Sequence, residues 1–101
     1  MDLGITCLAF RPCLRGHQEG FAKLRLAAWG DVIIEDVSIH RSGKTRWALP
    51  PSMPLVESGE LVRTADGKIR YRYIFNIGPI KEAFYAQSVA AVDAFRGAEQ
   101  R

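Results

Sequence analysis

Between Val32 and Ser52 the chain reads VIIEDVSIHRSGKTRWALPPS, and this run leaves few options other than two extended strands and a stop. Val32 to Arg41 is dense in β-branched residues, which favour a pleated half-buried surface. Ser42-Gly43 turns the chain, and Lys44 to Leu49 alternates Lys44, Arg46 and Ala48 with Thr45, Trp47 and Leu49. Pro50, Pro51 and Pro54 cannot donate to a ladder, so pairing ends there. Within the first strand the apolar phase slips, with Val32 and Ile34 in one register and Val37 and Ile39 in the other. A β-bulge near Glu35-Asp36 accounts for the slip; burial of both faces at the strand's start is the alternative.

The remaining segments extend this plan. Leu3 to Phe10 reads as a strand, Arg11 to Gly20 (RPCLRGHQEG) as a loop, and Phe21 to Trp29 as a half-buried strand that turns at Gly30-Asp31. Pro50 to Thr64 predicts a long irregular connection. Asp66-Gly67 predicts a turn into a strand over Lys68 to Ile77. There Ile69, Tyr71, Tyr73, Phe75 and Ile77 share an apolar face packed under a helix, while Lys68, Arg70 and Arg72 share the other. Gly78-Pro79 opens a helix over 79–96 with Gly97 as its stop. Its apolar arc is wider than one sheet contact needs, so Tyr85, Val89 and Val92 are expected at a homodimer interface. The expected fold class is α+β, a twisted antiparallel sheet of four or five strands with one C-terminal helix, in a single domain over 1–101.

Charge phase carries the functional expectation. Lys23 and Arg25, Lys44 and Arg46, and Lys68, Arg70 and Arg72 each lie opposite the apolar side of their strand. In one sheet these seven of the fourteen Lys and Arg would share a solvent face able to neutralise phosphates. Strict alternation puts Trp29 beside Lys23 and Arg25, where an exposed ring could stack on an unpaired base. Trp47 is expected in the core. The net charge of +3 is compatible with a polyanionic partner without requiring one.

The order of elements resembles the SpoVG family, the stage V sporulation protein G or septation-regulator group. Four features carry the resemblance: the Phe21–Trp29 strand, the 32–52 hairpin with its Ala48-Leu49-Pro50-Pro51-Ser52 stop, the Thr64-Ala65-Asp66-Gly67 turn, and a strand leading through a Pro-containing boundary into one C-terminal helix. Residues 51–63 stand as an insertion relative to that pattern. The resemblance implies a dimeric regulator that binds DNA or RNA and has no catalytic centre.

Other chemistries find little footing. Cys7 and Cys13 form no CxxC, and with His17 and His40 they supply no zinc set, so no metal or cofactor is expected. Glu35 and Asp36 are adjacent on a strand and point to opposite faces, so each is expected to pair with a neighbouring cation. Arg41-Ser42-Gly43-Lys44-Thr45 lacks the first glycine of a phosphate loop and sits between strands. No enzyme activity and no small-molecule substrate are expected. No apolar run spans a bilayer and the N-terminus lacks a signal peptide's basic residues, which predicts a cytoplasmic protein. The alternative function is a protein-interaction module using the 50–64 loop and the helix.

Overall fold

Two-residue turns set the sheet in this computed structural model, which describes residues 1–73 and 76–99. Strand β1 (Ile5–Arg15) returns through Gly16-His17 into β2 (Gln18–Leu26), with Arg15 opposite Gln18. Strand β3 (Val32–Ser42) returns through Gly43-Lys44 into β4 (Thr45–Leu49), with Ser42 opposite Thr45. Gly43 sits at φ +62, a left-handed conformation that costs glycine nothing. Between β2 and β3 the chain makes a 3₁₀ turn, Ala27–Trp29, closed by Gly30 at φ +74 and Asp31 at φ +64. The result is a four-stranded antiparallel sheet of order β1-β2-β3-β4, as the alternation predicts.

The first loop expected from the sequence is strand instead. β1 runs on to Arg15 because it is an edge strand, where Pro12 can sit without breaking an inner ladder. The bulge lies where the phase slip put it. Ala22 faces Val37 and Leu24 faces Ile34, leaving Lys23 opposite both Glu35 and Asp36. Asp36 takes up the extra residue at φ +58, and Ile34, Val37 and Ile39 are thereby all buried.

Helix α1 (Lys81–Glu99), entered through a 3₁₀ turn at Gly78–Ile80, covers one face of the sheet. Phe84, Ser88 and Val92 are its buried residues. They meet Leu3, Cys7, Leu24, Leu26, Ile39 and Ala48 in the core. Burying a side chain such as Phe84 contributes roughly 1.5–3 kcal/mol. Gln87 ties the N-terminus to the helix, accepting from the Leu3 amide at 2.7 Å and donating to the Met1 carbonyl at 2.5 Å. Gly97 lies inside the helix and is not its stop. In the last exposed turn its entropic cost is small enough to tolerate.

The expected irregular loop and long strand are replaced by a branched arm. Strand β5 (Ser52–Pro54) pairs with β8 (Tyr71–Tyr73), Ser52 facing Tyr73 and Pro54 facing Tyr71. From that stem grow a small hairpin, β6 (Val56–Glu57) with β7 (Glu60–Leu61), and a second turn at 64–68 closed by the Arg63–Ile69 bridge. Backbone bonds from Leu55 to Arg70, Val62 to Leu55 and Arg70 to Val62, at 2.8–2.9 Å, join the two branches. Among the described residues the arm does not pair with the four-stranded sheet. The radius of gyration, 14.9 Å, exceeds the ~13 Å of a compact chain this long, and the long axis reaches 46 Å. Tyr71 and Tyr73 are therefore 60% and 53% exposed instead of packed under the helix. Ile77 is buried, and the expected strand position Phe75 lies outside the described residues.

Candidate nucleic-acid interface

The seven cations expected on one face are found in four places. Lys23 and Arg25 do point away from the helix, alternating with buried Ala22, Leu24 and Leu26. Lys23 is 3.5 Å from Glu35 across the bulge. Lys44 is a turn residue, outside the strand. Trp29 belongs to the 3₁₀ turn, not to β2, so the alternation that placed it beside Arg25 does not reach it; it is exposed at the end of the sheet.

Arg46 is on the opposite side. In β4 it shares the helix-covered face with Ala48, and its side chain is only 15% exposed. Its Nε donates to Glu19 at 2.9 Å and its Nη1 to Asp93 of the helix at 2.7 Å. Arg41 reaches the same Glu19 carboxylate at 3.7 Å. These contacts, the bond to Asp93 foremost, hold the Arg46 guanidinium above its ordinary pKa despite burial. Arg46 therefore clasps the helix to the sheet and is not available to a polyanion.

Trp47 is correspondingly on the outer face, half-buried, not in the core. Its indole stacks on His40, ring centroids 5.6 Å apart and planes 9° from parallel. His40 Nε2 lies 2.9 Å from Ser38 Oγ. Burial, reinforced by His17, holds the His40 pKa below its ordinary value, with Glu19 opposing.

Lys68, Arg70 and Arg72 sit on the arm. Residues 63–73 carry four cations and one carboxylate. That carboxylate, Asp66, is held below its ordinary pKa by the Thr64 hydroxyl and lies 3.9 Å from Lys68. Arg63 donates to the Gly67 carbonyl at 3.0 Å. Among the described residues Arg72 approaches the Met53 sulfur, at 3.8 Å, and neither Arg70 nor Arg72 has an ion pair. Alternation along β8 puts Tyr71 and Tyr73 on one face with Ser52 and Pro54, and Arg72 with Met53 on the other. The arm thus offers exposed aromatic rings on one side and, on the other, guanidinium groups with no ion pair among the described residues.

Of the residues expected at a dimer interface, Val92 is fully buried in the monomer core and cannot contribute; Tyr85 and Val89 are half-buried. Tyr85 lines a cavity of ≈350 Å³ at the arm's root with Leu49, Pro50, Tyr73 and Ile77. Arg11 and Arg63 are cations of interest that sequence reasoning passed over. Arg11 was hidden by Pro12, which made an edge strand look like a loop. Arg63 is visible only as the mate of Ile69 across the Thr64–Gly67 turn. No three His, Cys, Asp or Glu side chains converge as a metal site among the described residues, and no described helix is long and apolar enough to cross a membrane. Comparison with protein-family models, curated proteins and solved structures finds no match for this chain.

Proposed function

We propose that this chain is a nucleic-acid-binding regulatory protein, as the SpoVG resemblance implies, and that it engages DNA or RNA mainly through the arm. The observation that carries the reading is the Tyr71-Arg72-Tyr73 stem, exposed on both faces, with Arg70 and Arg63 beside it. Guanidinium groups without acidic partners neutralise phosphates and release counterions. Exposed tyrosines stack on unpaired bases at about 1–3 kcal/mol per base. A single strand suits both, because its bases are free to stack. Homodimerisation, with Tyr85 and Val89 as the helix residues left for it, would present two arms and raise avidity.

Fluorescence anisotropy with single-stranded and duplex oligonucleotides at several salt concentrations tests this. The Arg70→Ala/Arg72→Ala variant should bind more weakly and lower the salt slope by about 1.4 on single strands, about 0.7 for each phosphate no longer neutralised. Tyr73→Ala should weaken single-strand binding more than duplex binding. Wild-type protein without affinity for any oligonucleotide at low salt would refute the proposal. A protein-docking arm is the second reading, favoured by exposed Met53, Val56 and Leu61. It predicts a protein complex indifferent to reversing the charges of Arg70 and Arg72.

A further inference from the structure

On the outer face of the sheet, two adjoining cavities of ≈260 and ≈380 Å³ share Arg11, Phe21 and Asp36. The first reaches Lys23 and Glu35 at the bulge; the second reaches Ser38, Pro50 and Ser52 at the root of the arm. Together they form one groove leading from the bulge to the arm, floored in part by Ala22 and Phe10 of the core and its rim.

Its construction is specific. Arg11 and Phe21 are register partners on β1 and β2, and the guanidinium carbon lies 5.1 Å over the phenyl ring. The ring steadies the guanidinium, whose outer plane is then a flat cationic surface of the kind on which bases stack. Beside it is Asp36, turned out of strand alternation by its positive φ. Its carboxylate touches Arg11 only at 4.0 Å and remains largely exposed, so both oxygens can accept further hydrogen bonds. Lys23 stands on the other side, 3.5 Å from Glu35, and Arg25 follows it on the same exposed face of β2.

An ionised carboxylate only accepts hydrogen bonds. Guanine alone presents two donors side by side on its pairing edge, N1–H and the N2 amino group, which match the two oxygens. Adenine and cytosine set a lone pair next to their amino group, and uracil and thymine flank their single N–H with carbonyls; each repels the second oxygen. We infer that the groove between the Glu35-Asp36 bulge and the arm is a guanine-reading pocket, with Arg11 stacked on the base and Asp36 accepting from its pairing edge. This deepens the proposed function by giving the bound strand a base preference, and it rests on that reading only for the strand, not for the base.

The probes separate the two. Guanosine monophosphate titrated into ¹⁵N-labelled full-length protein should shift the amides of Ala9, Lys23, Asp36 and Ser38, and uridine monophosphate should shift them far less. An oligothymidine with one central guanine should bind about fivefold tighter than plain oligothymidine, the lower end for one bidentate base contact because the site is open to water. Asp36→Asn should bring that ratio to about one. Arg11→Lys keeps the charge but removes the stacking plane, and should lower guanosine monophosphate affinity, so the test survives if Asp36→Asn does not fold. Equal responses to the two nucleotides, or no shift in the groove at millimolar concentrations, would overturn the pocket even if oligothymidine binds through the arm. Groove shifts with guanosine monophosphate but no oligonucleotide binding would uphold the pocket and remove the arm.

Discussion

Replacing Arg46 with Met asks whether this residue is a clasp or a phosphate contact. Met keeps the aliphatic stem and removes the guanidinium. Glu19, whose side chain is 14% exposed, then loses the nearer of its two cations and keeps Arg41 at 3.7 Å. Asp93 is 55% exposed and returns to water at little cost. Removing one partner of a fully buried pair costs about 3–5 kcal/mol. With Arg41 and some solvent still reaching Glu19, the expected loss is about 2 kcal/mol, comparable to one or two hydrogen bonds to a charged group. For a chain of this size that lowers Tm by roughly 8–16 °C. Urea denaturation should show a lower midpoint at unchanged m-value. Glu19→Gln combined with Arg46→Met should cost less than the two single substitutions added together, because the stranded carboxylate is gone. The salt slope of oligonucleotide binding should stay at the wild-type value. A variant within about 0.5 kcal/mol of wild type, inside the range of ordinary surface changes, or one with a slope reduced like that of an arm variant, would refute the clasp.

Gly20→Ala should destabilise by about 3 kcal/mol, the upper end for overpacking, because a Cβ there meets the Arg11 carbonyl at 2.5 Å and the Phe10 ring at 2.6 Å; guanidinium melts measure it. Ser88→Ala should stabilise by about 1 kcal/mol, since the hydroxyl is fully buried without a partner among the described residues and Ala is the better helix former. His40 titrates below its ordinary 6.5 in the folded chain. The unfolded chain therefore binds the proton first, and stability falls as pH drops below about 6.5, levelling off below the folded value. His40→Phe, which keeps a ring against Trp47, should flatten that part of the stability profile.

What could be read from the sequence was local. Period-two alternation in β2 and β3 is enforced by one buried face, and the slip at Glu35-Asp36 could be located because a bulge is the cheapest way to bury Ile34, Val37 and Ile39 together. β4 was phased wrongly because Trp47 and Leu49 outweigh Ala48 in any hydrophobic count. Yet Ala48 is fully buried on the helix-covered face, and Trp47 goes outside to His40. Arg46 followed Ala48 inward because Glu19 and Asp93 waited for it, a pairing across three elements that no local pattern encodes. Of the expected Lys68–Ile77 strand only Tyr71–Tyr73 is strand among the described residues, and its partner is β5, not the large sheet. Alternation fixes which side chains share a face and leaves open which sheet that face belongs to.

The Ser52–Tyr73 pairing brings the two roots of the arm together at one point of the body. Twenty-odd residues are thereby hung from a single closed junction, so lengthening, trimming or exchanging the tip shifts no register in β1 to β4 and costs little in loop closure. Descendants of this chain could acquire a new ligand by rewriting 55–70 alone, while the helix and its clasp stayed as they are.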